Sequence, residues 1–221
     1  MEIEAKYLVS QEDFDFWRKT ILNSKNMGDW ERVQDSFETV SMESCYLDSV
    51  EGTAFKRGGS LRIRRENERL VFTIKQKLAQ EGARSTRHEW EAALKSHVID
   101  EQAFAEADEQ VDQWASEDEQ LASFMEGVRI TQTVKIADIR FERLRSLWRN
   151  GDELVEWSLD QGRFVDGEDR HNFAEMELEL KAGNSDSIFE LEKLLNAKRE
   201  LQEEQASKLS RYMTWKHGRN E

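Results

Sequence analysis

The 221 residues contain no proline, a single cysteine and only four histidines. Lone Cys45 excludes an intrachain disulfide and fits a reducing compartment. Beside Tyr46 in an extended stretch, it reads as a buried structural thiol. With so few histidines and no His/Cys ligand spacing, a zinc site is not expected; a metal here would be a hard cation held by carboxylates. No run is long and apolar enough to span a bilayer, and Glu2 and Glu4 stand where the basic region of a signal peptide would lie. A cytoplasmic protein without membrane association is expected. Cations are in the minority, 32 Lys and Arg against 46 Asp and Glu, for a net charge of −14. That balance disfavours nucleic acid as a partner. No Pro/Gly linker, repeat or low-complexity segment divides the chain, so one domain is expected over residues 1–216, with a tail at 217–221.

What is present is charge: 35% of residues are charged and 38% hydrophobic, the balance of a folded domain with a polar interior. After a first strand, "SQEDFDFWRKTIL" reads as a helix, with Ser10 as N-cap and Phe14, Trp17 and Ile21 at helical spacing. The chain is extended from about Arg32 to Asp48, with turns at Gly52 and Gly58-Gly59. "SLRIRRENERLVFTIKQK" reads as a hairpin turning near Glu66 to Glu68, followed by a strand in "TRHEWEAAL". Asp100 to Glu126 reads as two short helices. Extended chain resumes in "VRITQTVKIADIRFERLRSLWR", turns at Gly151 into "ELVEWSLDQG" and ends in a last strand, "FAEMELELK". A helix with Ile188, Leu191, Leu194 and Leu195 on its apolar stripe follows, then "SKLSRYMTWK". About eight strands with peripheral helices make an α+β protein built on an antiparallel barrel or curved sheet.

The N-terminal "MEIEAKYLV" alternates charge with apolar residues, so Glu2, Glu4 and Lys6 share one face of a strand. The pattern recurs. Arg62 and Arg64 oppose Leu61 and Ile63; Thr73, Lys75 and Lys77 oppose Phe72 and Ile74. Arg87, Glu89 and Glu91 oppose Trp90; Glu156, Ser158 and Asp160 oppose Trp157 and Leu159. Glu175, Glu177, Glu179 and Lys181 oppose Met176, Leu178 and Leu180. The signs are sorted: middle strands carry mainly cations, the first and last mainly anions. A solubilising surface would mix signs to avoid like-charge neighbours. Turned inward in a closed barrel, these residues form two subsites, carboxylates for a divalent cation and Arg/Lys for a polyanion. A triphosphate travelling with Mg²⁺ suits both.

Glu2-x-Glu4-x-Lys6 resembles the ExExK signature of the CYTH superfamily, the triphosphate tunnel metalloenzymes. "LRIR", "FTIKQK", "RHEWE", "LVEWSLDQG" and "AEMELELK" resemble the family's later strands in order and approximate spacing. The nearest likeness is to the bacterial inorganic triphosphatase branch, without the extra helical domain many of its members carry. The resemblance implies an eight-stranded antiparallel tunnel with helices packed outside and a C-terminal helix near one mouth. It also implies hydrolysis of a triphosphate with Mg²⁺ or Mn²⁺. Glu2, Glu4 and Glu177 would hold the metal, with Glu175 beside them and Glu179 as the alternative in another register. Lys6, Arg62, Arg64, Lys75, Lys77 and Arg87 would bind phosphate oxygens, joined by Arg140 or Arg143. Glu89, Glu91, Glu156 and Asp160 would orient those cations or the attacking water. "SKLSRYM" resembles a segment that plugs one mouth, with Lys208 near the water; as a base it would need neighbouring cations to lower its pKa.

Inorganic triphosphate is thus the expected substrate and a small-molecule triphosphate the expected partner, with a homodimer left open. Within the same fold, thiamine triphosphatase, nucleoside or RNA 5′-triphosphatase and class IV adenylate cyclase remain alternatives. A non-catalytic polyphosphate or nucleotide sensor is the alternative of a different class.

Overall fold

A computed structural model of the chain describes residues 1–218; the last three residues of the expected tail lie outside it. Eight long strands carry the fold: β1 (Glu2–Leu8), β4 (Glu38–Asp48), β5 (Gly59–Glu66), β6 (Arg69–Glu81), β7 (Arg84–Ala93), β8 (Val134–Asn150), β9 (Glu153–Asp166) and β10 (Asp169–Ala182). They pair antiparallel in the order β8-β4-β5-β6-β7-β1-β10-β9, and β9 pairs back onto β8, closing the barrel. Three short strands attach outside this ring. β2 (Asn26–Met27) and β3 (Trp30–Arg32) form a small hairpin on β8, and β11 (Gln202–Glu203) pairs with β1. The strand expected to be last is therefore followed by one more. Its two residues were too few to leave an alternation in the sequence.

Closure forces each strand to send alternate side chains to opposite sides, and the helices decide which side is apolar. Helix α1 (Gln11–Asn23) begins at Ser10, whose Oγ accepts from the Asp13 amide at 3.1 Å. Its Phe14, Trp17 and Ile21 pack with α5 (Asp186–Asn196) against the outward residues Ala5, Tyr7, Trp157, Met176 and Leu178. On the opposite wall, α3 (Glu101–Glu117) and α4 (Glu119–Phe124) cover Leu61, Ile63, Phe72 and Ile74. α3 has 17 residues and is not short; Ala103, Ala107 and Val111 give it a helical stripe that its many acids mask. Each such buried aliphatic or aromatic side chain contributes about 1.5–3 kcal/mol. That outer packing offsets the cost of leaving the inside polar.

Two further helices frame one mouth. α2 (Thr53–Lys56), a single turn between the two expected glycine turns, is held at its start by the buried Asp48 carboxylate, which accepts from the Ala54 and Phe55 amides at 2.9 Å each. α6 (Lys208–His217) turns Leu209 and Tyr212 onto Ile139, Phe141, Phe164 and Phe173, an apolar cluster inside the barrel end. It is the C-terminal helix expected near one mouth. Among the described residues, no helix is long and apolar enough to cross a membrane.

Candidate active site

The inward residues surround a cavity of about 410 Å³ that runs between the two mouths. Glu2, Glu4 and Lys6 are only 6%, 5% and 4% exposed, so the charged face of the first strand looks into the tunnel and not into bulk water. Register then fixes their neighbours. Glu2 lies opposite Arg87 of β7, while Glu4 lies opposite Glu179 and Lys6 opposite Glu177 of β10.

Glu4 accepts from Ser85 Oγ at 3.2 Å and pairs with Arg87 at 2.6 Å and Lys6 at 3.3 Å. Burial would raise its carboxyl, but Lys6 and Arg87 overcome it and hold the group at about 2. Lys6 also reaches Glu177 at 3.6 Å, bridging the two carboxylates. Glu177 is held well below the usual carboxylate range because Lys208, Arg143 and Lys6 outweigh its burial. Glu179 behaves in the opposite way: burial pushes it up to about 7, Lys181 opposing and the nearby Glu2 adding to the shift. Glu2 pairs with Lys75 at 2.5 Å through one oxygen, and its other oxygen, Oε2, is buried without a hydrogen-bond partner. Lys75 also meets Glu89 at 3.2 Å.

The cationic wall is built differently. Arg62 is buried, its guanidinium touching Thr73 Oγ1 at 3.4 Å, and its Nε has no partner; the Nε of Arg64 is likewise unpartnered. Arg64 pairs with Glu66 and, at 3.6 Å, with Glu91, which also accepts from Thr73 Oγ1. Burial and the charge of Arg62 push Arg64 down to about 10. Lys77 is exposed at the mouth.

At the plugged end, Asp160 accepts from both Arg143 Nε and Nη2, at 2.8 and 2.7 Å, and Arg143 reaches on to Glu177. Glu156 stands 4.0 Å from Arg143 and 3.7 Å from Arg145. Lys208 enters from α6 and pairs with Asp160 at 2.8 Å, Glu177 at 3.0 Å and Glu175, which also binds Arg211.

These placements bring together Glu2, Glu4, Lys6, Arg62, Arg64, Lys75, Arg87, Glu89, Glu91, Arg143, Glu156, Glu177, Glu179 and Lys208 around one cavity, with Lys77 at its rim. Three expectations need correction. Arg140 lies on the outer surface, 47% exposed and paired with Asp138; Arg143, of opposite strand parity, is the one that points inward. Glu175 stands with Lys208 and Arg211 at the plugged end, and Glu179 takes the place opposite Glu4. The cations expected to crowd Lys208 are replaced by three carboxylates, which removes the premise for a lysine base.

Sequence reasoning missed Tyr46, Ser85 and Arg145. Tyr46 lines the cavity; burial opposes ionisation of its hydroxyl, but Arg62 and Lys208 lower its pKa overall. Tyr46 has the same parity as Met42 on β4, a signal blurred because "SMESCYLD" mixes polarity on both faces. Arg145 shares parity with Arg143, which would have settled the choice against Arg140.

The donor set fits a hard divalent cation. Glu2, Glu4 and Glu179 bring carboxylate oxygens to neighbouring strands, each already meeting a cation (Glu2 with Lys75, Glu4 with Lys6 and Arg87, Glu179 with Lys181), and Glu2 Oε2 is an unpartnered buried anion oxygen. A second carboxylate group, Asp160, Glu175 and Glu177, has ligand oxygens within 4.8 Å of one another, but Lys208 already pairs with all three.

Comparison with known proteins agrees with this architecture. No curated protein sequence matches the chain. Among solved structures, HpAC1 from Hippeastrum, an adenylyl-cyclase candidate described as having a dominant triphosphatase activity, superposes with a TM-score of 0.61 at 17% identity, covering 97% of this chain and 96% of that one. A candidate adenylate cyclase from Bacillus halodurans gives 0.58 at 18% identity, covering 96% of each chain. PH1819 from Pyrococcus horikoshii OT3 gives 0.57 at 21%, covering 97% of this chain and 99% of that one. At these identities the likeness is one of fold. The CYTH domain model matches residues 1–213, nearly all of the described chain, and with the inward Glu2-x-Glu4-x-Lys6 strand it shows that the protein belongs to the CYTH domain family.

Proposed function

We propose that the protein is a metal-dependent triphosphatase that cleaves inorganic triphosphate to diphosphate and phosphate within the tunnel. One observation carries this reading. The closed barrel buries guanidinium nitrogens without partners on one wall, Arg62 Nε and Arg64 Nε, and a carboxylate oxygen without a partner on another, Glu2 Oε2. Leaving buried charge-bearing atoms unmatched costs about 1–3 kcal/mol each. A polyanion accompanied by a cation satisfies both walls at once.

In this reading Arg62, Arg64, Lys75 and Arg87 donate to phosphate oxygens, the arginines through planar forks matched to them. Glu2, Glu4 and Glu179, with Glu177 bridged through Lys6, would hold Mg²⁺ or Mn²⁺. A divalent ion held there would supply charge neutralisation on the phosphates. Lys6 and Arg87 keep Glu4 ionised as a ligand. Lys208, fixed by three carboxylates, holds an ammonium at the plugged end where a terminal phosphate or the water is oriented. Residues prearranged in this way lower the barrier without reorganising during reaction. No nucleophile–base pair is needed.

The test is phosphate release from inorganic triphosphate, with thiamine triphosphate and ATP alongside, in Mg²⁺, Mn²⁺ or chelator. Metal-dependent turnover that falls by at least about 10²-fold in Glu4→Gln is expected. Tight binding without turnover of any of them would overturn the hydrolase reading and leave a sensor or a cyclase.

A further inference from the structure

α2 and α6 frame one mouth of the tunnel, and strand direction places the turn between β5 and β6 at the other. There the inward ladder of β5 changes sign. Ser60, Arg62, Arg64 and Glu66 follow one another on the same face of the strand, and all four line the cavity. The last of them, where the strand ends, is a carboxylate. Glu66 accepts from Arg64 through one oxygen and from Arg69 through the other, the latter at 3.5 Å. Burial opposes its charge, but Arg64 outweighs burial and holds the carboxyl below its ordinary value. Glu66 is therefore an anion at neutral pH.

The cations of this mouth are all engaged. Arg64 is divided between Glu66 and Glu91, Arg145 between Glu38 and Glu156, and Lys181 meets Glu179 at 2.6 Å. Arg69 belongs to Glu66 and is 60% exposed, so water screens its charge. Deeper in, Arg62 forms no ion pair among the described residues, and the Nε atoms of Arg62 and Arg64 have no partner. A linear phosphate lying along β5 therefore finds open donors at Arg62 and at Arg64, and then a carboxylate. In the other direction it meets α6, whose Lys208 is already shared by Asp160, Glu175 and Glu177.

We infer that Glu66 is a length stop, which fits the tunnel to a linear inorganic phosphate of three units and turns away longer ones. The inference rests on the triphosphate reading of the tunnel and deepens it by naming the residue that sets chain length. Charge alone predicts the reverse. A tetraphosphate carries more negative charge and more acceptor oxygens, so a tunnel lined only by cations would prefer it. Here the fourth phosphate would stand against Glu66. Taking Arg64 for itself would leave that carboxylate with Arg69 alone. A repulsive element of this kind acts on the longer chain and leaves the shorter one untouched.

The experiment compares inorganic triphosphate with inorganic tetraphosphate on the full chain with Mg²⁺, each read as kcat/KM from its initial rate of consumption. The wild-type chain is expected to favour triphosphate by at least about tenfold. Glu66→Gln keeps the shape and an acceptor for Arg64, and is expected to erase that preference by raising tetraphosphate consumption about tenfold. Wild-type protein that consumes tetraphosphate as readily as triphosphate would overturn the length stop without any variant, and would leave the tunnel reading intact. A variant that loses both probes equally would also overturn it, reducing Glu66 to a support for Arg64. If neither probe is consumed, the hydrolase reading fails, and the same ratio is read from equilibrium titration with the two anions. Binding of neither would sink the tunnel reading and the length stop together.

Discussion

On the β9–β10 wall of the tunnel the cations are tied down: Arg143 is shared by Asp160 and Glu177, and Lys208 by Asp160, Glu175 and Glu177. On the β5 wall Arg62 forms no ion pair among the described residues, and Arg62 and Arg64 both keep an unpartnered Nε. Both walls bury charge, but on the first each of Arg143 and Lys208 is shared among carboxylates, whereas on the second Arg64 is paired and Arg62 has no carboxylate within ion-pair distance among the described residues. The first wall is structural as much as functional, since removing one partner strands the others in a poorly solvating interior. The Arg62 wall is costly to the folded state, and in the reading proposed above a bound anion would offset that cost. Stability and binding are therefore divided between two sides of one barrel.

The sharpest way to break this contrast is Arg143→Met. It strips Asp160 of a two-point partner, and a loss of about 3–5 kcal/mol in unfolding free energy is expected, read from the urea midpoint of ligand-free protein. Arg62→Met is the mirror experiment. Turnover of inorganic triphosphate is expected to drop by about 10²–10³-fold, while the ligand-free midpoint holds or rises because an unpaired buried charge has gone. If Arg62→Met destabilises the fold as much as Arg143→Met, the division between the walls is wrong.

The smallest effect is one of pH. Glu179 rises from its ordinary 4.5 to about 7 on folding, so the folded protein binds a proton that the unfolded chain releases. Its contribution to stability is full below about 4.5 and is lost as pH climbs through about 7. Glu4 moves the other way, to about 2; its contribution is present above 4.5 and is lost as pH falls towards 2. In chelator, the urea midpoint should decline between pH 5 and 7.5, and Glu179→Gln should flatten that decline. A decline unaltered in the variant would assign the titration elsewhere.

Much of this tunnel was legible in advance, because alternation along a strand is a strong signal when closure turns one face inward. The sorted signs of Glu2 and Glu4 against Arg62, Arg64 and Lys75 describe both walls. Legibility failed where local alternation does not contain the answer. Glu177 and Glu179 share a face, and only the pairing of β1 with β10 decides which of them stands opposite Glu4. Arg140 and Arg143 sit on opposite faces of one strand, and the irregular "IRFERLR" hid which face was inner. The environment of Lys208 depends on where α6 docks, a tertiary fact that helical periodicity does not encode.

The pairing of β1 with β10 also bears on how the molecule comes into being. The first strand made finds its partners in β7 and in β10, one near mid-chain and the other close to the end of the described residues. Contacts so distant in sequence are slow to form, because the loop must close before the pairing rewards it. Until then the strand bearing Glu2 and Glu4 has neither neighbour, and Glu4 and Glu179 are strangers along the chain. Glu4 and Glu179 thus meet only in the act that closes the barrel. A nascent or truncated chain lacking the tenth strand would hold Arg62, Arg64, Arg87 and Arg143 yet not the tunnel that gathers them, so the charged cavity is assembled only once synthesis has passed that strand.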